Sequence, residues 1–375
     1  MTIVHSLVFA VVLSGGLLSQ IPSSGLRLWL RADAGVSQSA GRVDSWSDQS
    51  GAGHVFAGSG SSRPEFSQDG SDSLIRFQGD QVLSASLPFT LTTATIFARF
   101  RYRIASSNND YLYAFGAPGA RGRQFTLSRR NGTQAYHYDG SSVNLGGVIP
   151  AARWLVSRQV FGEGSPGSHV LRIDGAVQLS TSSDPYSVSF ATARIGDWSS
   201  CCFRFWGDLG DLIVYDRHLS AAEIQQVESW LGARADRAYA SPFGVGCATS
   251  AGVATLDAAP GSRPVLGGNF TTQTTGLGAS APAVQFFSFD DTRNGSVTLP
   301  LALDAIGMTG CVLLVSTEIV QPLLSGGGTA SSSFAIPNSP ALLRTGVYLQ
   351  TLTFDLPANP FGLALSNGLA LSLGL

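Results

Sequence analysis

The stretch "ATIFARFRYRI", residues 94–104, decides the class of the fold. Ile96, Ala98, Phe100, Tyr102 and Ile104 fall on one side of an extended chain and Phe97, Arg99, Arg101 and Arg103 on the other, because successive side chains of a strand point to opposite faces. Further along, "HVLRIDGAVQLS" at 169–180 sets Asp174-Gly175 between two alternating arms. That is a strong hairpin signal, since a type I′ turn needs φ > 0 at both central residues. A charged fraction of only 13%, with 44 Gly and 17 Pro, fits many short strands and tight turns rather than long helices. The expectation is an all-β protein.

With 375 residues the chain exceeds the usual size of one domain, and its composition divides it. The first part, residues 25–239, closes on one helix in "LSAAEIQQVESWLGARADR", where Ser220 and Glu223 form an S-x-x-E capping box and Ile224, Val227 and Leu231 line one face. Beyond "AYASPFG" tryptophan disappears, charge thins out, and Leu, Ala, Gly, Ser and Thr dominate. Residues 243–375 read as a second, smaller β-sandwich of short strands such as "AVQFFSF" and "VYLQTLTF", ending in a hairpin around Asn367-Gly368.

Composition also removes whole classes of chemistry. All 23 basic residues are arginine, so a Schiff-base lysine and a P-loop lysine are absent. The formal charge of −2 and the lack of any basic block give no reason to expect nucleic acid. The five histidines contain no i, i+4 pair, and neither C-x-x-C nor G-x-S-x-G occurs. The apolar run in residues 1–20 has the length of a signal-peptide core and falls short of the ~20 apolar residues of a spanning helix. It predicts a secreted or cell-surface protein with no membrane span in the mature chain.

Three motifs carry a family resemblance: "LRLWLRADAGV" at 26–36, "VDSWSDQSGAGH" at 43–54, and "GDLGDLIVYDRHLSAAEIQQVESWL" at 207–231. On these, with the hairpin "LRIDGAVQL", residues 25–239 resemble the LamG-like, concanavalin A-like jelly-roll modules of secreted bacterial proteins. The resemblance implies an antiparallel two-sheet β-sandwich with one C-terminal helix. It implies no single activity, because that fold hosts lectins, adhesion modules, hydrolases and lyases.

The candidate sites follow from residue chemistry. A retaining glycosidase needs two carboxylates about 5 Å apart across the scissile bond. The E-x-D-x-x-E strand of the laminarinase-like branch is missing, and the five glutamates are scattered. No catalytic residue is assigned. Trp198, Tyr136 and Tyr138 are aromatic platforms suited to the C–H face of a pyranose. Arg99, Arg101 and Arg103 form a ladder able to pair with carboxylates or sulfates of an acidic glycan, against the simpler reading of a solvated outer face. Asp48, in "WSDQSG", suits an Asx-type turn or a Ca²⁺ site, and the resemblance places Asp211 where related proteins hold a structural calcium. Four cysteines in an exported chain predict disulfides, with Cys201–Cys202 as a vicinal bridge and Cys247–Cys311 as the bridge of the second part.

The function expected is therefore non-catalytic: binding of carbohydrate or of a cell-surface or extracellular protein partner. The alternatives are a structural or adhesive surface protein without a small ligand, and a polysaccharide-active hydrolase or lyase using an atypical aspartate site.

Overall fold

A computed structural model describes residues 21–69, 72–103, 109–117, 122–131, 133–138, 143–151, 153–182, 185–198, 203–291 and 293–375. The signal-peptide reading of residues 1–20, Ile104 and the proposed Cys201–Cys202 bridge lie outside the described residues. The described chain is predominantly β, with one α-helix, Ala221–Ala235.

In the first half, alternation builds two antiparallel layers. One layer is centred on the strand Trp206–Tyr215, which pairs with Ala94–Tyr102 on one side and with Asp72–Gln78 and Leu26–Arg31 on the other. It extends through Leu155–Phe161, Ser168–Ile173 and Ala176–Ser182. The second layer runs Leu83–Ala85, Ala193–Ile195, Asp110–Gly116, Gln124–Arg130, Gln134–Tyr138 and Val143–Val148. The strand Arg42–Ser47 links the layers along one edge by pairing with Val55–Ala57 and with Glu65. Between the layers lies an apolar core that includes Leu28, Trp46, Ile96, Phe100, Phe115 and Leu212. Asp174 and Gly175 have φ of 48° and 81°, as the hairpin turn requires.

The helix is capped as its sequence implies: Glu223 N–H donates to Ser220 Oγ while Ser220 N–H donates to the Glu223 carboxylate. Its Val227, Leu231 and Ala235 lie on the outer face of the first layer against Phe97, Trp154, Ile213 and Tyr215. The strand Ala94–Tyr102 is consequently buried on both faces, and Arg99 and Arg101 with it. This overturns both sequence readings of the arginine ladder at these two positions, the solvated face and the exposed glycan ladder. The cover comes from later in the chain: Trp154, whose ring lies over both guanidiniums, the helix, and Tyr239.

The second half is a smaller antiparallel sandwich. A five-stranded sheet orders Tyr239–Phe243, Leu363–Ser372, Gly346–Phe354, Pro282–Ser288 and Ile319–Leu324. It faces the three strands Thr255–Ala258, Asn269–Thr275 and Ala330–Ala335 across a core that includes Leu256, Phe270, Leu349 and Leu369. Cys247 and Cys311 form a disulfide within it, the pairing expected for this half. The expected hairpin at Asn367-Gly368 is absent: both residues lie inside one continuous strand, Leu363–Ser372. The ladder to Gly346–Phe354 shifts register there, between Gln350 and Leu352. The Asn367 side chain crosses to the facing sheet, accepting from Leu256 N–H (2.8 Å) and donating to Leu256 O (2.9 Å).

Candidate binding cleft between the two sandwiches

A cleft of about 410 Å³ opens where the two sandwiches meet. That is within the ~300–1,000 Å³ typical of small-ligand sites. From the first sandwich come Glu65, Arg76, Gln78, Arg101, Arg103 and Trp206; from the second come Phe243, Asp291 and Tyr348, with Tyr239 at the junction.

The floor is an ion cluster. Asp208 is fully buried and accepts from Arg76 Nε at 3.0 Å and from Arg101 Nε at 2.5 Å. Burial opposes its charge, but Arg101, Arg76 and Arg103 outweigh that penalty and hold the carboxyl well below its ordinary range. Arg76 Nη2 also donates to Ser241 Oγ at 3.4 Å, on the first strand of the second sandwich. The Arg101 guanidinium lies 4.1 Å from the Tyr239 ring centroid, within cation–π range. The floor thus ties the sandwiches together and fixes two guanidiniums in the cleft.

The wall is aromatic. Trp206 opens the strand Trp206–Tyr215 and is 39% exposed. Beneath it is Gly79, at φ +89°, where a Cβ would come within 2.2 Å of the indole. Glycine therefore lets the ring rest on backbone while part of it stays open to the cleft. Opposite, Tyr348 is only 3% exposed, and its hydroxyl has no hydrogen-bond partner. Burial pushes that hydroxyl's pKa up, as do Asp291 and Tyr239. Asp291 is raised to about 7, by burial and by the neighbouring Asp290, against the pull of Arg103 and Arg129.

The other sequence candidates have definite places. Tyr136, Tyr138 and Trp198 do come together: Tyr138 lies 6.3 Å from Trp198, and Tyr111 lies 6.0 Å from Tyr136 and 5.8 Å from Trp198. Tyr136 is buried in this group, and Trp198 is half-buried, its Nε1–H donating to Gln124 Oε1 at 3.0 Å. Arg99 is committed to Asp72 (2.6 Å) and Asp211 (2.6 Å), so its guanidinium is an internal cation.

The calcium positions are corrected by their partners. Asp48 Oδ1 accepts from Trp29 N–H (2.7 Å) and Ser50 N–H (2.9 Å), and Oδ2 accepts from Ser50 Oγ (2.5 Å), the turn role its sequence allowed. Asp211 is fully buried between Arg99 and Arg234, whose Nε donates at 3.1 Å. Its Oδ1 has no partner, yet two guanidiniums beside it repel a divalent cation. Among the described residues no cluster of three or more His, Cys, Asp or Glu is arranged to hold a metal. The residues present do not fit a calcium ion.

Asp291 and Tyr348 had no signal in the sequence: one is half of an ordinary Asp-Asp turn, the other a strand tyrosine. Trp206 did have one, in the alternation of "FRFW" with Phe205 facing inward.

No family model and no curated protein sequence matches the chain. Solved structures do show likeness. The ligand-binding domain of botulinum neurotoxin serotype D, solved with N-acetylneuraminic acid, is 11% identical over 93% of this chain and 92% of its own, at a TM-score of 0.45. A heptameric pentraxin of Limulus polyphemus is 17% identical over 43% of this chain and 82% of its own, at 0.33. A Trypanosoma rangeli sialidase is 15% identical over 56% of this chain, at 0.40, and the match spans 33% of the sialidase's length. At TM-scores below 0.5 none of these likenesses bears on function.

Proposed function

We propose that the protein is a non-catalytic, LamG-like binding protein, secreted or held at the cell surface, that recognises a saccharide in the cleft between its two sandwiches. The observation that carries this reading is Trp206, a part-exposed indole seated on the Gly79 backbone at the wall of a cleft that also presents Glu65, Gln78, Arg103 and Asp291. An indole face accepts the C–H face of a sugar ring, while arginine, glutamine and carboxylate side chains supply directional contacts to hydroxyls. An apolar surface with a few convergent polar groups is the general form of a small-ligand site.

The test is a glycan array probed with the full chain and with Trp206→Ala. Retention of specific glycans by the wild type, lost in the variant, is the expected result. Equal retention by both proteins would remove Trp206 and this cleft from the reading, and release of cleaved products would replace binding with turnover.

A further inference from the structure

We propose that the saccharide is acidic: its ring lies on Trp206 and its carboxylate is received by Tyr348 and Arg103, with Asp291 controlling access through its proton. This rests on the saccharide reading above and names the class of sugar.

Three placements support it. The Tyr348 hydroxyl is a buried donor without an acceptor, and the charges that act on it are those of the cleft: Asp291, Arg101 and Arg103. Leaving such a donor unsatisfied is costly, and an incoming carboxylate oxygen would satisfy it. Arg103 directly follows the strand whose Arg101 is fixed by Asp208, and both line the cleft. Asp291 faces the same space, and its charge is felt by both Tyr348 and Arg103. An ionised Asp291 repels a second carboxylate and competes for Arg103. A neutral Asp291 does neither, and its O–H becomes a donor.

The remaining charges around Asp291 are Asp290 beside it in the chain and Arg129 from the first sandwich. Glu65 and Arg76 complete the charged lining of the cleft. Arg76 is bound to Asp208, and Glu65 accepts from Gln78 Nε2 at 3.2 Å. Asp291 is the group among these brought to about 7, so its proton sets the pH dependence near neutrality.

The experiment is calorimetric titration of the full chain with uronic-acid oligosaccharides and with the same oligosaccharides as methyl esters, at about pH 5.5 and about pH 8. The free acids should bind at least about tenfold more tightly than the esters at the lower pH. If only the neutral-Asp291 form binds, a group titrating at about 7 makes affinity fall about tenfold by the higher pH. Asp291→Asn should hold the low-pH affinity across the range, and Tyr348→Phe should weaken binding about tenfold while leaving the fold intact. Acids and esters binding alike, or wild-type affinity flat with pH, would overturn the inference. Specific binding of neutral glycans alone would sink it while leaving the saccharide reading standing, and binding of no glycan at all would end both.

Discussion

Replacing Asp208 with alanine removes the carboxylate that Arg76 and Arg101 share, both of them buried. Breaking a buried ion pair from one side is costly because the surviving charge stays desolvated, typically about 3–5 kcal/mol. Here two guanidiniums lose one partner, although Arg76 keeps its contact to Ser241 and Arg101 its place over Tyr239, so the lower half of that range is expected. At the usual unfolding entropy per residue, a sandwich of this size should lose roughly 7–10 °C in melting temperature. Urea unfolding followed by tryptophan fluorescence reads the change directly. Asp208→Asn keeps an acceptor and most of the volume but not the charge, and should fall between wild type and alanine. The wild-type contribution also depends on pH with a fixed sign. The folded carboxyl is depressed below its unfolded value, so its stabilisation is full above about pH 4 and fades as acid protonates the unfolded chain first. A loss below about 1 kcal/mol for Asp208→Ala would show that water reaches the cluster, and the account of a dry floor would fail.

Three further outcomes follow from other sites. His169 is fully buried beside His137, ring centroids 4.5 Å apart, and burial first, then His137, holds its pKa well below normal. Unfolding should therefore become easier as pH falls below about 6.5, where the unfolded histidine takes a proton the folded one refuses; a His169→Gln variant whose urea midpoint keeps the same pH slope would refute this. The Cys247–Cys311 bridge closes 64 residues of sequence separation, and its replacement by two alanines should destabilise the second sandwich by about 2–4 kcal/mol, read by calorimetry of the full chain. Asn367→Ala leaves the backbone N–H and C=O of Leu256 without their partner and should cost about 2–3 kcal/mol by urea titration; a change under about 0.5 kcal/mol would mean the strand Thr255–Ala258 is held without it.

What could be read from the sequence was whatever a local period or a local turn encodes. The alternation at 94–102, the Asp174-Gly175 turn and the Ser220/Glu223 cap all act over fewer than ten residues, and each stands in the structure as read. The arginine face failed for the opposite reason. Alternation tells which side chains share a face but not what covers it, and the cover is Trp154, a helix and Tyr239, all encoded outside the strand itself. Asn367-Gly368 failed similarly: the local preference for a turn lost to a side chain that finds a backbone partner in a sheet more than a hundred residues away. The aromatics at 136, 138 and 198 were singled out by residue type alone, and their proximity comes from the tertiary fold, with Tyr111 between Tyr136 and Trp198. Asp291 and Tyr348 gain their chemistry only from the junction, where burial and foreign charges reset an otherwise ordinary acid and phenol.

The junction also decides how this chain can be taken apart. Because the lining of the cleft runs from Glu65 to Ala370, cutting near residue 240 yields two halves that each carry an incomplete surface: one keeps the indole and its arginines, the other the acid and the phenol. A fragment that folds well and binds nothing would be uninformative about the intact molecule. The same logic applies to recombination over generations. Swapping either half for a foreign one of identical architecture would preserve a foldable product yet remove half of the cleft's lining, so whatever the cleft does requires both halves together.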